Sequence, residues 1–459
     1  MSGKADVNSM CEGPLFGKLV RYVIPLWLTG LLQIAFHAAD MAVLGRFASH
    51  KSMAGIGATG ELVWLLVCVV VGISAGSNVV VAQMFGAGDR RGMRRAVHAS
   101  IAFALASGLI LMALGETLLV PVLRGMNVPD DIFLLSRRYL RICFCGLPFS
   151  MVCNFSFAIM RGIGDSRRPL YYLLLAATVN LLLNILLVAG LHLDVAGVAV
   201  ATVLSQALSC SLSIRALLRE RGSTRLMPRS IRFYPAELKR ILRIGVPSGL
   251  QYACYSSANV IIQSAVNTLG PVVIAGNTAA CVLEAGLHTW PGAVYQTVMT
   301  AVGQNYGAED CRRVMRSILF CIALATLPLL VLGGLTVWNG EFLLGVMNRT
   351  PEVVAAGMVR VRINFTVYFL LGAMDTVSGA LRGLGRSFTP MIVTVFGACA
   401  LRVFWVFTVF HACGTLPSML AAYPVSWLCV TAVNGMLLFF VCRALLSGNE
   451  KSMALKLVR

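Results

Sequence analysis

Charge is what this chain has least of. Charged residues fill 12% of its 459 positions, about half the share found in ordinary soluble domains, and that excludes a water-soluble globular protein. Acids are the scarcer kind, at 19 against 38 Lys and Arg. The sequence has no GxxxxGK(S/T) phosphate loop, no histidine pair at zinc spacing and no CxxC pair. Nucleotide hydrolysis and zinc chemistry therefore lack their usual residues, and no nucleophile and base arrangement suggests an enzyme. Most of the 14 cysteines, Cys68, Cys143, Cys153, Cys321 and Cys429 among them, lie inside apolar runs. They read as small buried hydrophobes, and no structural disulfide is expected.

What is abundant is apolar: 58% of the residues are hydrophobic. Runs of about 20 such residues are long enough to cross a bilayer. Twelve are read, at roughly 19–45, 54–82, 95–121, 135–160, 168–191, 195–218, 240–267, 272–302, 314–337, 354–380, 388–413 and 417–445. The expected fold class is an all-α polytopic membrane protein. Residues 1–18 form a short leader without a cleavable signal pattern, 219–239 the longest polar interval, and 446–459 a polar tail. The termini and alternate loops carry 28 of the 38 Lys and Arg, the opposite loops nine, and Arg402 is the one base counted inside a span. By the positive-inside rule both termini are cytoplasmic. The net charge of +19 is thus an address on one membrane face, and nucleic acid is set aside as a partner.

The chain repeats itself. Gln83-Met-Phe-Gly86-Ala87-Gly-Asp89 returns as Gln304-Asn-Tyr-Gly307-Ala308-Glu-Asp310, 221 positions later. At the same offset Arg161-Gly162-Ile-Gly164 returns as Arg382-Gly383-Leu-Gly385, and Pro169 as Pro390. One register across separate segments predicts two six-helix repeats, 19–218 and 240–445. Six is even, so the repeats enter the membrane in parallel, a plan used by secondary transporters.

Span 1 carries Asp40, with His37 one turn before it. A carboxylate at mid-span costs about 2.5–3.5 kcal/mol on insertion scales and marks a functional site by default. Pro25, Thr29, Gln33, His37 and Asp40 share one helical stripe, which predicts a polar face turned away from lipid.

These features together resemble the multidrug and toxic compound extrusion (MATE) family. The features are the Asp late in span 1, the duplicated Gln83–Asp89 and Arg161-Gly162 turns, and Gly197-Val-Ala-Val-Ala201-Thr202. The likeness covers about residues 20–445. It implies a V-shaped pair of six-helix lobes that exports cationic or amphipathic small molecules in exchange for H⁺ or Na⁺, as a monomer in the cytoplasmic membrane, with no other cofactor. It also implies a cation site, here Asp40, Asn180 and Thr202, with His37 close by. At the family's second acidic position this chain has Asn184, a departure that leaves one carboxylate in the cluster. One proton neutralises it; one Na⁺ held by Asp40, Asn180, Asn184 and Thr202 is the alternative. Proton coupling is preferred, since hard cations favour sites richer in carboxylate. Plain interhelical hydrogen bonding is the other reading of the two asparagines.

The second repeat has its own polar interior. Gln251, Tyr255 and Asn259 recur every four residues in span 7 and suit a neutral cavity wall. Glu284 and His288 share a face of span 8, and span 10 supplies Asp375. With Gln33 they form a candidate substrate cavity or second polar site, while Arg402 offers a competing structural ion pair with Asp375 or Glu284. Trp290, Tyr295, Met299 and Trp405 could add aromatic and thioether surface. A flippase for a lipid-linked saccharide is the alternative function. It would need several intramembrane bases to hold pyrophosphate, and only Arg402 is counted.

Overall fold

A computed structural model describes residues 9–47, 49–220 and 222–447. The first eight residues of the expected leader and nearly all of the tail at 446–459 lie outside the described residues. Everything described is helix or short connection.

Span 1 is Leu15–Phe47, span 2 His50–Gly86, span 3 Arg90–Gly125, span 4 Asp130–Gly162, span 5 Arg167–Gly190 and span 6 Asp194–Arg219. Span 7 is Pro235–Asn267, span 8 Pro271–Gly307, span 9 Cys311–Trp338, span 11 Phe388–Cys413 and span 12 Leu416–Leu446. Span 10 is broken: Pro351–Phe365 and Phe369–Gly383 meet at 46°. Ten of the helices are long and apolar enough to cross a membrane, and the bent pair makes an eleventh. Span 7, polar in its first turns, has the length of the others at 33 residues and completes the expected twelve.

Two features were not expected. Residues Gly340–Met347 form a short helix between spans 9 and 10, where the sequence suggested loop. Phe342 and Val346 on it are both 73% exposed. Second, π-helical turns interrupt the α-helical ladder at Ile185–Gly190, Val361–Phe365, Val395–Ala400 and Val406–Phe410. Such turns leave no mark in hydrophobic periodicity.

The duplicated turns now have a physical account. Asp89 N-caps span 3, accepting from the Gly92 N–H at 2.9 Å, and Asp310 N-caps span 9, accepting from the Arg313 N–H at 2.9 Å. The residue before each Asp is left-handed, Gly88 at φ 65° and Glu309 at φ 58°. The first copy uses the residue that adopts this conformation freely; the second holds it with a glutamate.

By contacts the chain falls into two compact units, Leu28–Gly249 and, together, the residues up to Trp27 and from Leu250 on. In the first unit span 4 packs against spans 2, 3 and 6, and Leu119, Leu123, Leu140 and Phe144 are among its buried side chains. In the second, the start of span 1 packs with spans 8 and 9: Leu19 and Val23 are fully buried beside Val298 and Val302. Trp27 meets Trp290 edge to face at 5.5 Å.

Lipid supplies no hydrophobic drive between spans, so close van der Waals approach must hold them. The tightest case within the first unit is where span 2 crosses the start of span 7. A Cβ on Gly72 would stand 2.6 Å from the Gly249 Cα, and one on Gly76 would overlap the Ile241 carbonyl. We predict that Gly76→Leu destabilises the protein by about 1–3 kcal/mol, the usual cost of overpacking. A thermal midpoint in detergent well below wild type is expected, with Gly57→Ala unchanged because no atom lies within 4 Å of its added Cβ. A wild-type midpoint for Gly76→Leu would contradict this crossing.

Candidate functional site

Asp40 sits in the last turns of span 1, within the first unit, and faces span 5. Asn180 and Asn184 stand on that face one turn apart, 5% and 0% exposed. The Asn184 amide donates to Asp40 Oδ1 and also, at 3.1 Å, to the Asn180 side-chain oxygen. Asn180 donates in turn to Ser205 Oγ at 3.4 Å, and Ser205 donates to the Thr202 carbonyl at 2.9 Å. The chain of contacts therefore runs span 1, span 5, span 6, with one carboxylate at its head.

The Asn184 side-chain oxygen is buried and has no hydrogen-bond partner among the described residues. A primary amide wants both ends satisfied, and burial without a partner costs about 1–3 kcal/mol. The π-helical turn of span 5 begins at the next residue. Tyr139 of span 4 stands within electrostatic reach of Asp40.

Not every expected member joins. His37 is exposed but within electrostatic reach of Asp40. Gln33 is exposed and one further turn away. Thr202 contributes its backbone carbonyl to the chain, not its hydroxyl. Ser205 and Tyr139 were missed; Ser205 was findable, three residues beyond Thr202 on the same helix.

The second unit places the other candidates differently. Glu284 is paired with Arg360 at 2.7 Å, both largely buried, and Arg360 also donates to Asn277 Oδ1 at 2.9 Å. Arg402 forms no ion pair with Glu284 or Asp375. Its guanidinium lies 4.4 Å from the Tyr423 ring centre and 5.7 Å from that of Tyr255, and it donates to Ser426 Oγ at 3.0 Å. Nor is Arg402 the one intramembrane base: Arg360 is 6% and Arg382 1% exposed inside span 10. Both lie near ends of an apolar run, where loop and span cannot be told apart by composition.

Arg382 donates to the Tyr295 hydroxyl and to the Gln251 side-chain oxygen, so Gln251 serves a buried cation. Tyr255 donates to Met374 Sδ at 3.7 Å, and Asn259 is exposed. Asp375 makes no hydrogen bond or ion pair among the described residues, and His288 is within its electrostatic reach. Met299 is fully buried and Tyr295 nearly so. The indoles of Trp290 and Trp405 donate to the Leu324 and Ser418 carbonyls. The aromatic set is thus largely engaged in packing and internal hydrogen bonds.

Comparison with known proteins bears on what kind of molecule carries these sites. The MatE family model matches twice, over residues 25–186 and 247–408. The chain belongs to the MatE family. Its two matches correspond to the two repeats, and the family is one of multidrug-efflux membrane transporters. A probable multidrug resistance protein NorM of Thermotoga maritima is 27% identical over 391 residues, covering 84% of each chain. A probable multidrug resistance protein YpnP of Bacillus subtilis is 25% identical, covering 85% of this chain and 87% of that one. A MATE crystal structure in complex with MaL6 superposes with a TM-score of 0.90 at 19% identity, over 97% of this chain and 100% of that one. The likeness in fold therefore extends over nearly the whole MatE chain, and a flippase reading is not favoured.

One buried pair invites a direct test. Removing one partner of a buried ion pair costs about 3–5 kcal/mol, because the other charge is stranded. We predict that Arg360→Met lowers the detergent unfolding midpoint sharply, and that Glu284→Gln combined with Arg360→Met recovers a large part of the loss. A double variant no better than the single one would show that the pair is not the source of the cost.

Proposed function

We propose that this MatE protein is an ion-coupled antiporter, driven by protons in preference to sodium. It exports cationic or amphipathic small molecules by alternating access across the cytoplasmic membrane, acting as a monomer with both termini cytoplasmic. Asp40 is the coupling carboxylate. The observation that carries this reading is the unpartnered Asn184 oxygen beside an acid that already accepts from the same amide.

The chemistry runs as follows. Ionised, Asp40 accepts the Asn184 N–H, but the amide oxygen has nothing to accept. A proton on the carboxyl supplies the missing donor, because an acid and a primary amide are complementary in both directions. Loading one proton neutralises the cluster's one carboxylate and completes its hydrogen bonds. A Na⁺ ion would also use the free oxygen, yet it would leave a hard cation with a single charged ligand. Proton loading lowers the cost of holding Asp40 in an apolar surrounding, and that change in cost is what can drive span 1 to repack and release cargo outward. Relatives named as multidrug resistance proteins support small-molecule cargo.

Ethidium transport in proteoliposomes tests this. An imposed proton gradient should drive transport in the wild type, and Asp40→Asn should reduce it to the uncoupled background while leaving insertion intact. Wild-type rates in Asp40→Asn would remove Asp40 from the mechanism. A response to a sodium gradient alone would overturn the ion assignment.

A further inference from the structure

Span 7 opens with a feature that transport of a small solute does not use. Pro235, Leu238, Lys239, Leu242 and Arg243 line a shallow, open groove along one face of this helix. On the helix, Lys239 and Arg243 stand one turn apart, and Leu238, Leu242 and Val246 form a parallel row beside them at the same spacing. The two cations are exposed, the two leucines half-buried, and Val246 is 49% exposed.

Neither Lys239 nor Arg243 forms an ion pair or hydrogen bond among the described residues. The neighbouring charges are used: Arg240, between them in sequence, donates to Gln83 Oε1 at 3.3 Å, and Glu237 lies 3.8 Å from Arg95. The groove therefore holds two unopposed positive charges against an apolar wall. It sits at the start of a membrane span, where water gives way to hydrocarbon. An anion held there by charge alone would leave the leucine row exposed; an apolar molecule would leave the cations unmatched.

We propose that this groove binds an anionic phospholipid. The phosphate lies between Lys239 and Arg243, and an acyl chain follows Leu238, Leu242 and Val246. Basic residues next to a span contribute to holding anionic headgroups, and the flanking apolar row adds chain contact that a free phosphate would not engage.

The test is native mass spectrometry of the full-length protein in neutral detergent, titrated with phosphatidylglycerol or phosphatidylcholine. The wild type should retain one phosphatidylglycerol in preference to phosphatidylcholine. Lys239→Gln with Arg243→Gln should lower that retention by about tenfold or more. Each single variant should show a smaller loss in the same sense, so that poor folding of the double variant does not decide the result. Arg312→Gln with Arg316→Gln removes two exposed cations one turn apart at the start of span 9 and should leave retention unchanged. Equal loss in both pairs would reduce the effect to diffuse charge and overturn the site. Displacement of the lipid by millimolar inorganic phosphate would overturn the lipid assignment in favour of a free anion, and no preference for phosphatidylglycerol would overturn both.

Discussion

Hydrocarbon offers no hydrogen bonds, so every polar group carried into the membrane must find its partner within the protein. Most of what distinguishes this chain follows from how it meets that demand. In the first unit the demand is met by amides: Asn184 and Asn180 link Asp40 to Ser205 by hydrogen bonds, and the series stops one donor short of completion. In the second it is met by opposite charge for Arg360, and by neutral oxygen and aromatic faces for Arg382 and Arg402. Where a polar group is left unmatched in such surroundings, the cost makes a visiting proton or ion the natural remedy.

Much of this was legible in the sequence. Span length and apolar content respond directly to bilayer thickness, so the twelve helices could be read, and an offset of 221 positions exposed the repeat. Asp40 stood out by itself, because an acid inside an apolar span is rare, whereas Asn180 and Asn184 were set beside it by the family resemblance. Contacts between distant spans were not. Nothing in the sequence says whether Glu284 turns to Arg402 or to Arg360, since both lie more than 70 positions away and the choice depends on helix rotation. Bends and π-helical turns were equally silent: neither the break before Phe369 nor the turn at Val361–Phe365 contains the proline or glycine that would mark one.

The repeats also show what a shared plan preserves. Asp89 and Asp310 cap their helices in the same way, and the left-handed residue before each is kept although glycine has become glutamate. The span interiors diverge more freely: Asp40 has no acidic counterpart in span 7, and the Glu284–Arg360 pair has none in the first repeat. Turn geometry is common property of the two halves, and charge placement is individual.

Guanidinium groups keep their proton at any pH a cell experiences, whereas carboxylates can lose their charge. Arg360, Arg382 and Arg402 therefore give the second unit a permanent positive background that no gradient can erase, while the carboxylates Glu284 and Asp375 stand among them as groups that can change charge. Of these, Glu284 is pinned by Arg360 and Asp375 is not. The unit's charges are thus of two kinds, guanidinium groups that are fixed and carboxylates that differ in whether a fixed charge holds them.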